Sequence, residues 1–97
     1  MHVISVRSLS EYWQDHRGAE GALKSWYAEA KLAEWVTPDH IKQRCPSADI
    51  LPGNRVVFNI KGDHYRLVVK IHYYTGIAYI HFVGSHAEFG KIDAEII

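Results

Sequence analysis

Seven histidines and eleven Lys and Arg residues are the groups in this 97-residue chain that can move protons or meet phosphates near neutral pH. His86 is the most suggestive, because it lies in Gly84-Ser85-His86-Ala87-Glu88-Phe89, a stretch that leaves the last strand-like run. A histidine at a strand exit beside basic residues can act as general acid or base. A loop histidine bonded to a main-chain carbonyl is the plainer alternative, and the pattern leaves both open. Glu88 is the only acid close to it. His72, His81 and His86 match no zinc-ligand spacing, so no metal site is expected. Ser85 next to His86 makes no nucleophile–base pair, and no G-x-S-x-G elbow, phosphate loop or dinucleotide fingerprint is present.

The elements that must carry these groups change character near Pro52-Gly53. His2–Val6 alternates like a short opening strand, and Ser8-Leu9-Ser10-Glu11 fits a helix-capping box. Gly18 and Gly21 suggest a break before a second helix running from about Ala19 to Trp35. Its Leu23, Trp26, Tyr27 and Ala30 recur at helical spacing, and Lys24, Glu29, Lys31 and Glu34 form the other face. Thr37-Pro38-Asp39 begins a shorter helix that must stop before Pro46, and Ser47–Asn54 reads as a loop. From Arg55 the period becomes two. Arg55–Lys61, His64–Tyr73 and Ile77–Val83 read as an antiparallel meander, followed by a tail, Lys91–Ile97, of undefined state.

Alternation sorts the side chains of that meander. Val56, Phe58, Ile60, Tyr65, Leu67, Val69, Ile71 and Tyr73 share an apolar face, joined by Ala78, Ile80 and Phe82. The other face is expected to be open and to carry Asn59, Lys61, Arg66, Lys70, His72, Tyr79 and His81. Cations interleaved with Tyr and His suit RNA, since the cations meet phosphates and the rings stack on unpaired bases. A solvated polar face is the plainer reading, since any two-layer α+β protein has one, and the pattern alone favours it.

Composition bounds the rest. The length fits one domain, 1–97, with 47% apolar residues and equal numbers of acidic and basic side chains. Cys45 stands alone, which fits a reducing cytoplasmic setting, and no run is long enough to span a membrane. Zero net charge argues against a bulk electrostatic nucleic-acid binder. The charge is unevenly spread, however. Residues 1–52 hold six Lys and Arg against seven acids, whereas Arg55–Lys70 holds four against one.

Two blocks, Arg55-Val56-Val57-Phe58-Asn59-Ile60-Lys61-Gly62-Asp63-His64-Tyr65-Arg66-Leu67-Val68-Val69-Lys70-Ile71 and Phe82-Val83-Gly84-Ser85-His86-Ala87-Glu88-Phe89-Gly90-Lys91-Ile92-Asp93, resemble the signature of HigB-type toxins. These are the mRNA interferase partners of HigA antitoxins. The resemblance implies a RelE-like α+β fold, β-α-α-β-β-β, with helices on one face of a small, mostly antiparallel sheet. It implies a ribosome-dependent endoribonuclease that cuts mRNA, uses no cofactor and is neutralised by a helix-turn-helix antitoxin. Arg66 matches an arginine that contributes to catalysis in the wider superfamily. His86 falls where RelE-type toxins carry a catalytic arginine, and Asn59 where they carry a lysine. Lys61, two residues on, is expected on the same face and able to supply that charge. Ser85, Phe89 and Gly90 stand where the family more often has Thr, Tyr and Asp.

The expected chemistry is metal-independent attack of a 2′-hydroxyl on its own 3′-phosphate. Arg66 and Lys61 would stabilise the phosphorane, and His86 would act as acid or base. Asn59, Lys70, His72, Tyr79, His81 and Glu88 would bind RNA. Two rival readings are a non-catalytic ribosome or RNA binder that blocks translation, and a protein-interaction module.

Overall fold

The computed structural model describes all 97 residues, in the order β1 (His2–Ile4), α1 (Val6–Asp15), a 3₁₀ turn (Arg17–Ala19), α2 (Glu20–Leu32), α3 (Pro38–Arg44), β2 (Asp49–Leu51), β3 (Arg55–Ile60), β4 (Tyr65–His72), β5 (Ile77–Ser85) and α4 (His86–Phe89). The sheet order is β1-β5-β4-β3-β2, with β1 parallel to β5 and the other neighbours antiparallel. This is the small α+β architecture expected of a RelE-like chain. It adds one edge strand, β2, where a loop is expected. Pro52-Gly53-Asn54 is the turn between β2 and β3, with Gly53 and Asn54 at positive φ. Three residues are too few to display an alternation.

The helices bury Leu9, Leu23, Trp26, Ala30 and Ile41 against Val56, Phe58, Ile60, Leu67, Val69 and Ile71. The apolar stripe at 23, 26 and 30 is the one its spacing predicts, because α2 can bury only one face. The helix ends at Leu32, short of Trp35. The Met1 amino group donates to the Ala30 and Ala33 carbonyls (3.1 and 2.6 Å), which suits a cation at a helix C-terminus. Trp35 still reaches the core and stacks on Phe58 with ring centroids 5.7 Å apart.

The capping box expected at Ser8 does not form there. Helix α1 starts earlier, and the Ser8 N–H already bonds to the Ser5 carbonyl at 2.9 Å. Glu11 instead pairs with Arg7 across one turn, at 3.2 Å. The same S-x-x-E spacing is realised at Ser85–Glu88, where it starts α4.

β5 departs from simple alternation because Val68 pairs with Phe82 and Val69 with Ile80, leaving His81 as a bulge. The extra residue reverses the phase. Ala78 and Ile80 face the helices, but beyond His81 it is Val83 that packs on that core, and Phe82 turns to the other side. Nor is the second face open. Val57, Val68 and Ala94 form a separate buried cluster there, with Phe82, Phe89, Ile92 and Ile97 packed around it. The C-terminal segment is held down at Ile97, whose main-chain oxygen accepts from Arg55 (2.7 and 3.0 Å) and lies 2.9 Å from His81 Nδ1.

Candidate active site

At one end of the sheet the C-terminal end of β3, the start of β4 and the end of β5 lie side by side. Asn59 pairs with Arg66 and Arg66 with Gly84; Ile60 pairs with Tyr65 and Tyr65 with Ser85. The β3–β4 turn closes through Lys61 and Gly62, both at positive φ (54° and 68°). Helix α4 is anchored to that turn because the His86 N–H donates to the His64 carbonyl at 3.0 Å. Ser85 caps α4 reciprocally: its Oγ accepts the Glu88 N–H (3.1 Å), and Glu88 Oε1 accepts the Ser85 N–H (2.7 Å). Gly84 lets α4 come this close, since a Cβ there would sit 2.6 Å from the Phe82 ring and 3.2 Å from Glu88 Cβ.

Glu88 also joins α4 to the helical layer. The Tyr12 hydroxyl donates to Glu88 Oε1 at 3.0 Å. Burial, reinforced by that carboxylate, pushes the Tyr12 phenol well above its usual range, so it stays a donor. Glu88 is held below the ordinary carboxylate range, chiefly by the Ser85 amide and also by Tyr12. The His16 ring stacks on Tyr12 (4.0 Å, 6°), and Tyr65 meets Tyr12 edge-on at 6.0 Å.

Arg66 Nη1 donates to the Asp63 carbonyl at 2.8 Å and contacts the Tyr65 carbonyl at 3.4 Å. That fixes the guanidinium beside the turn and leaves its other donors without a protein partner. Three histidines border the same end. His64 Nδ1 lies 2.8 Å from the Lys61 carbonyl and His16 Nδ1 3.1 Å from the Tyr12 carbonyl. The His86 ring makes no such bond and is exposed, so the plainer reading of it as a carbonyl-bonded loop histidine is not what is found.

Arg66, His86, Lys61, Asn59 and Glu88 are therefore brought to one end of the sheet. Lys61 lies just past the end of β3, its left-handed backbone ending the strand alternation, and with Asn59 it borders one recess. Its Nζ lies 3.6 Å from where a Gly18 Cβ would be, with the Tyr65 hydroxyl 3.1 Å from the same point. Asn59 donates its side-chain amide to the Ser47 carbonyl at 3.0 Å. Lys70, His72 and Tyr79 lie elsewhere. Lys70 and His72 are four and six residues past Arg66, roughly 13 and 20 Å along β4. Tyr79 is Lys70's neighbour on β5, and its ring sits edge-on to His72 at 4.9 Å. His81 is at the bulge, turned to Ile97. No group of three or more His, Cys, Asp or Glu side chains is placed to hold a metal ion.

Sequence reasoning passed over Tyr12, His16 and His64. Tyr12, on α1, and His16, which caps its C-terminus, are one turn apart, a spacing that would have placed them together, but nothing local aims that face at Glu88, 76 residues away.

HigB_toxin, a family described as the RelE-like toxic component of a toxin-antitoxin system, matches residues 19–92. The chain belongs to the HigB toxin family. No curated protein matches the sequence. An antitoxin partner goes with membership, since this family supplies the toxic component of such a pair. The matched residues of this HigB toxin span α2 to the C-terminal segment and include Lys61, Arg66, His86 and Glu88, whereas Tyr12 and His16 precede them. No helix is long and apolar enough to cross a membrane.

Proposed function

We propose that this HigB toxin, folded as one domain over 1–97, is an mRNA endoribonuclease of the cytoplasm. It cuts messages engaged on the ribosome and is neutralised by a HigA-like helix-turn-helix antitoxin. The observation that carries this reading is that Arg66, whose guanidinium keeps free donors, pairs with Gly84, two residues before His86, whose unbonded imidazole stands on the helix anchored to the β3–β4 turn.

The reaction is transfer of a phosphoryl group within the RNA. The 2′-oxygen attacks its own 3′-phosphorus while a base takes the 2′-proton. The bond to the 5′-oxygen then breaks as an acid protonates it, leaving a 2′,3′-cyclic phosphate and a 5′-hydroxyl. Arg66 holds two non-bridging oxygens through its fork and offsets the added charge of the phosphorane. Lys61 adds charge from the turn. His86 moves one of the two protons, and Glu88 holds the turn of helix that carries it. The ribosome supplies the affinity that a chain of zero net charge lacks. Phe89, where relatives more often have Tyr, packs with Phe82 on the covered face, and Tyr12 is the phenol nearest Glu88.

Mapping mRNA ends after brief induction tests the reading. New ends within translated messages are expected, and they disappear with Arg66→Ala or His86→Ala at matched expression. Intact messages with halted protein synthesis would instead mean a non-catalytic ribosome binder.

A further inference from the structure

Cleavage by the route above moves two protons, and His86 accounts for one of them. A second histidine, which no sequence motif marks, stands in the turn between β3 and β4. That turn closes with the His64 N–H on the Lys61 carbonyl at 3.3 Å, and the same oxygen lies 2.8 Å from His64 Nδ1. A carbonyl oxygen can only accept, so Nδ1 carries a proton and donates it. The neutral ring then keeps its lone pair on Nε2, on the edge away from that bond. His64 is exposed, and its Nε2 makes no hydrogen bond within the chain.

The bonds around His64 tie it to the other two groups of the site. The carbonyl of Asp63, the residue before it, holds the Arg66 guanidinium at 2.8 Å. Its own carbonyl accepts the His86 N–H at 3.0 Å, one step beyond the Tyr65–Ser85 pair. A phosphate on the free donors of Arg66 would therefore lie beside both His64 and His86. His16 also turns Nδ1 to a carbonyl, but its ring is stacked on Tyr12, and it makes no bond to the turn or to α4.

We propose that His64 is the general base of the cleavage and His86 its general acid. The inference rests on the RNA-cleavage reading and assigns its two proton transfers to named groups. Nε2 of neutral His64 takes the 2′-proton as the 2′-oxygen bonds to phosphorus. The bond from phosphorus to the 5′-oxygen breaks with its electron pair on that oxygen, which takes a proton from the His86 imidazolium. His64 ends as imidazolium and His86 as the neutral ring, and proton exchange with water restores both. The Lys61 carbonyl, fixed by the turn, stabilises the charge that His64 gains.

Single-turnover cutting of a ribosome-bound message by the full chain tests the assignment, with two substrates. His64→Asn keeps an amide donor near the place of Nδ1 but leaves nothing at the place of Nε2. It should slow cutting about 10²-fold or more at wild-type Tm, whereas Asn would serve well enough for a residue that only braces the turn. His64→Gln, neutral and of similar length, should slow cutting as much and carries the test if Asn disturbs the fold. Sulfur in place of the 5′-oxygen at the cut site removes the need for an acid, because a thiol is a far stronger acid than an alcohol. That substrate should bring His86→Ala to within about tenfold of wild type and leave the His64 variants slow. Undiminished cutting by folded His64 variants, or their rescue by sulfur, would overturn the assignment of the base alone. A message left uncut by the wild-type chain would overturn the nuclease, and the base with it.

Discussion

The two ends of β4 are built differently. At the Arg66 end several polar groups are fixed by a neighbour, while the His86 ring is left free: Arg66 is held by the Asp63 carbonyl, Glu88 by Ser85 and Tyr12, and His64 by the Lys61 carbonyl. At the far end His72 and Tyr79 touch edge to face, and the surface nearby exposes Tyr74, Val36 and Leu32. Phosphoryl transfer needs charges already aimed at where charge develops, and only the first end offers that. The second has the makeup of a contact surface. A basic sheet face read as one patch is thus two regions about 20 Å apart, separated by the apolar cluster under Ala94 and Ile97.

Mutation at the two ends gives the largest contrast. Arg66→Ala and His86→Ala should each lower the cutting rate about 10²- to 10³-fold, the usual cost of losing a charge-stabilising or proton-moving group. His72→Ala and Tyr79→Ala should leave kcat unchanged and raise KM by less than about threefold. The comparison breaks if His72→Ala slows cutting as much as Arg66→Ala while both variants keep the wild-type Tm.

The two faces of β4 make a second contrast, read in stability. Leu67 and Val68 are adjacent and both fully buried, but Leu67 faces the helices and Val68 the C-terminal segment. Leu67→Ala should cost about 2–5 kcal/mol, as truncations in a helix-covered core do. Val68→Ala should cost about 2 kcal/mol, or a fall in Tm of roughly 8–16 °C for a chain this short. A face open to solvent would make Val68→Ala nearly neutral, so a Tm change within about 2 °C would mean that the C-terminal segment is not seated there.

The sequence discloses what repeats. The alternation from Val56 to Ile71 places the helix-facing core, and the stripe at Leu23, Trp26 and Ala30 places the buried face of α2, because burial on one side imposes each period. The same alternation puts Asn59 and Arg66 on one face, and the structure pairs them at one sheet end. It fails wherever a single residue resets the backbone. The bulge at His81 sends Phe82 away from the face predicted for it, and the left-handed Lys61 ends the alternation of β3. Two S-x-x-E signals occur, and only tertiary placement decides that Ser85, not Ser8, caps a helix. The joining of Tyr12 to Glu88 and the seating of Ile97 on Arg55 are long-range contacts with no local signature.

The smallest effect concerns how α4 is held at the Arg66 end. Glu88 accepts from both the Ser85 amide and the Tyr12 hydroxyl, and these bonds hold its carboxyl below the ordinary range in the folded chain. Glu88→Gln keeps an acceptor but removes the charge, so it should cost about 1 kcal/mol at pH 7, the difference between charged and neutral acceptors. The folded state favours the ionised carboxylate. The stabilisation is therefore complete above the unfolded carboxyl value near pH ~4.3 and fades as pH falls through the lower folded one. Urea unfolding from pH 8 to pH 3 should show wild type and Glu88→Gln separated by a constant gap above about pH 5 that closes towards pH 3. Tyr12 leaves this window untouched, because its raised phenol titrates only in alkali. A gap that persists undiminished at pH 3 would mean that the charge of Glu88 does not hold α4, and that His86 owes its position to its main-chain bond with His64 instead.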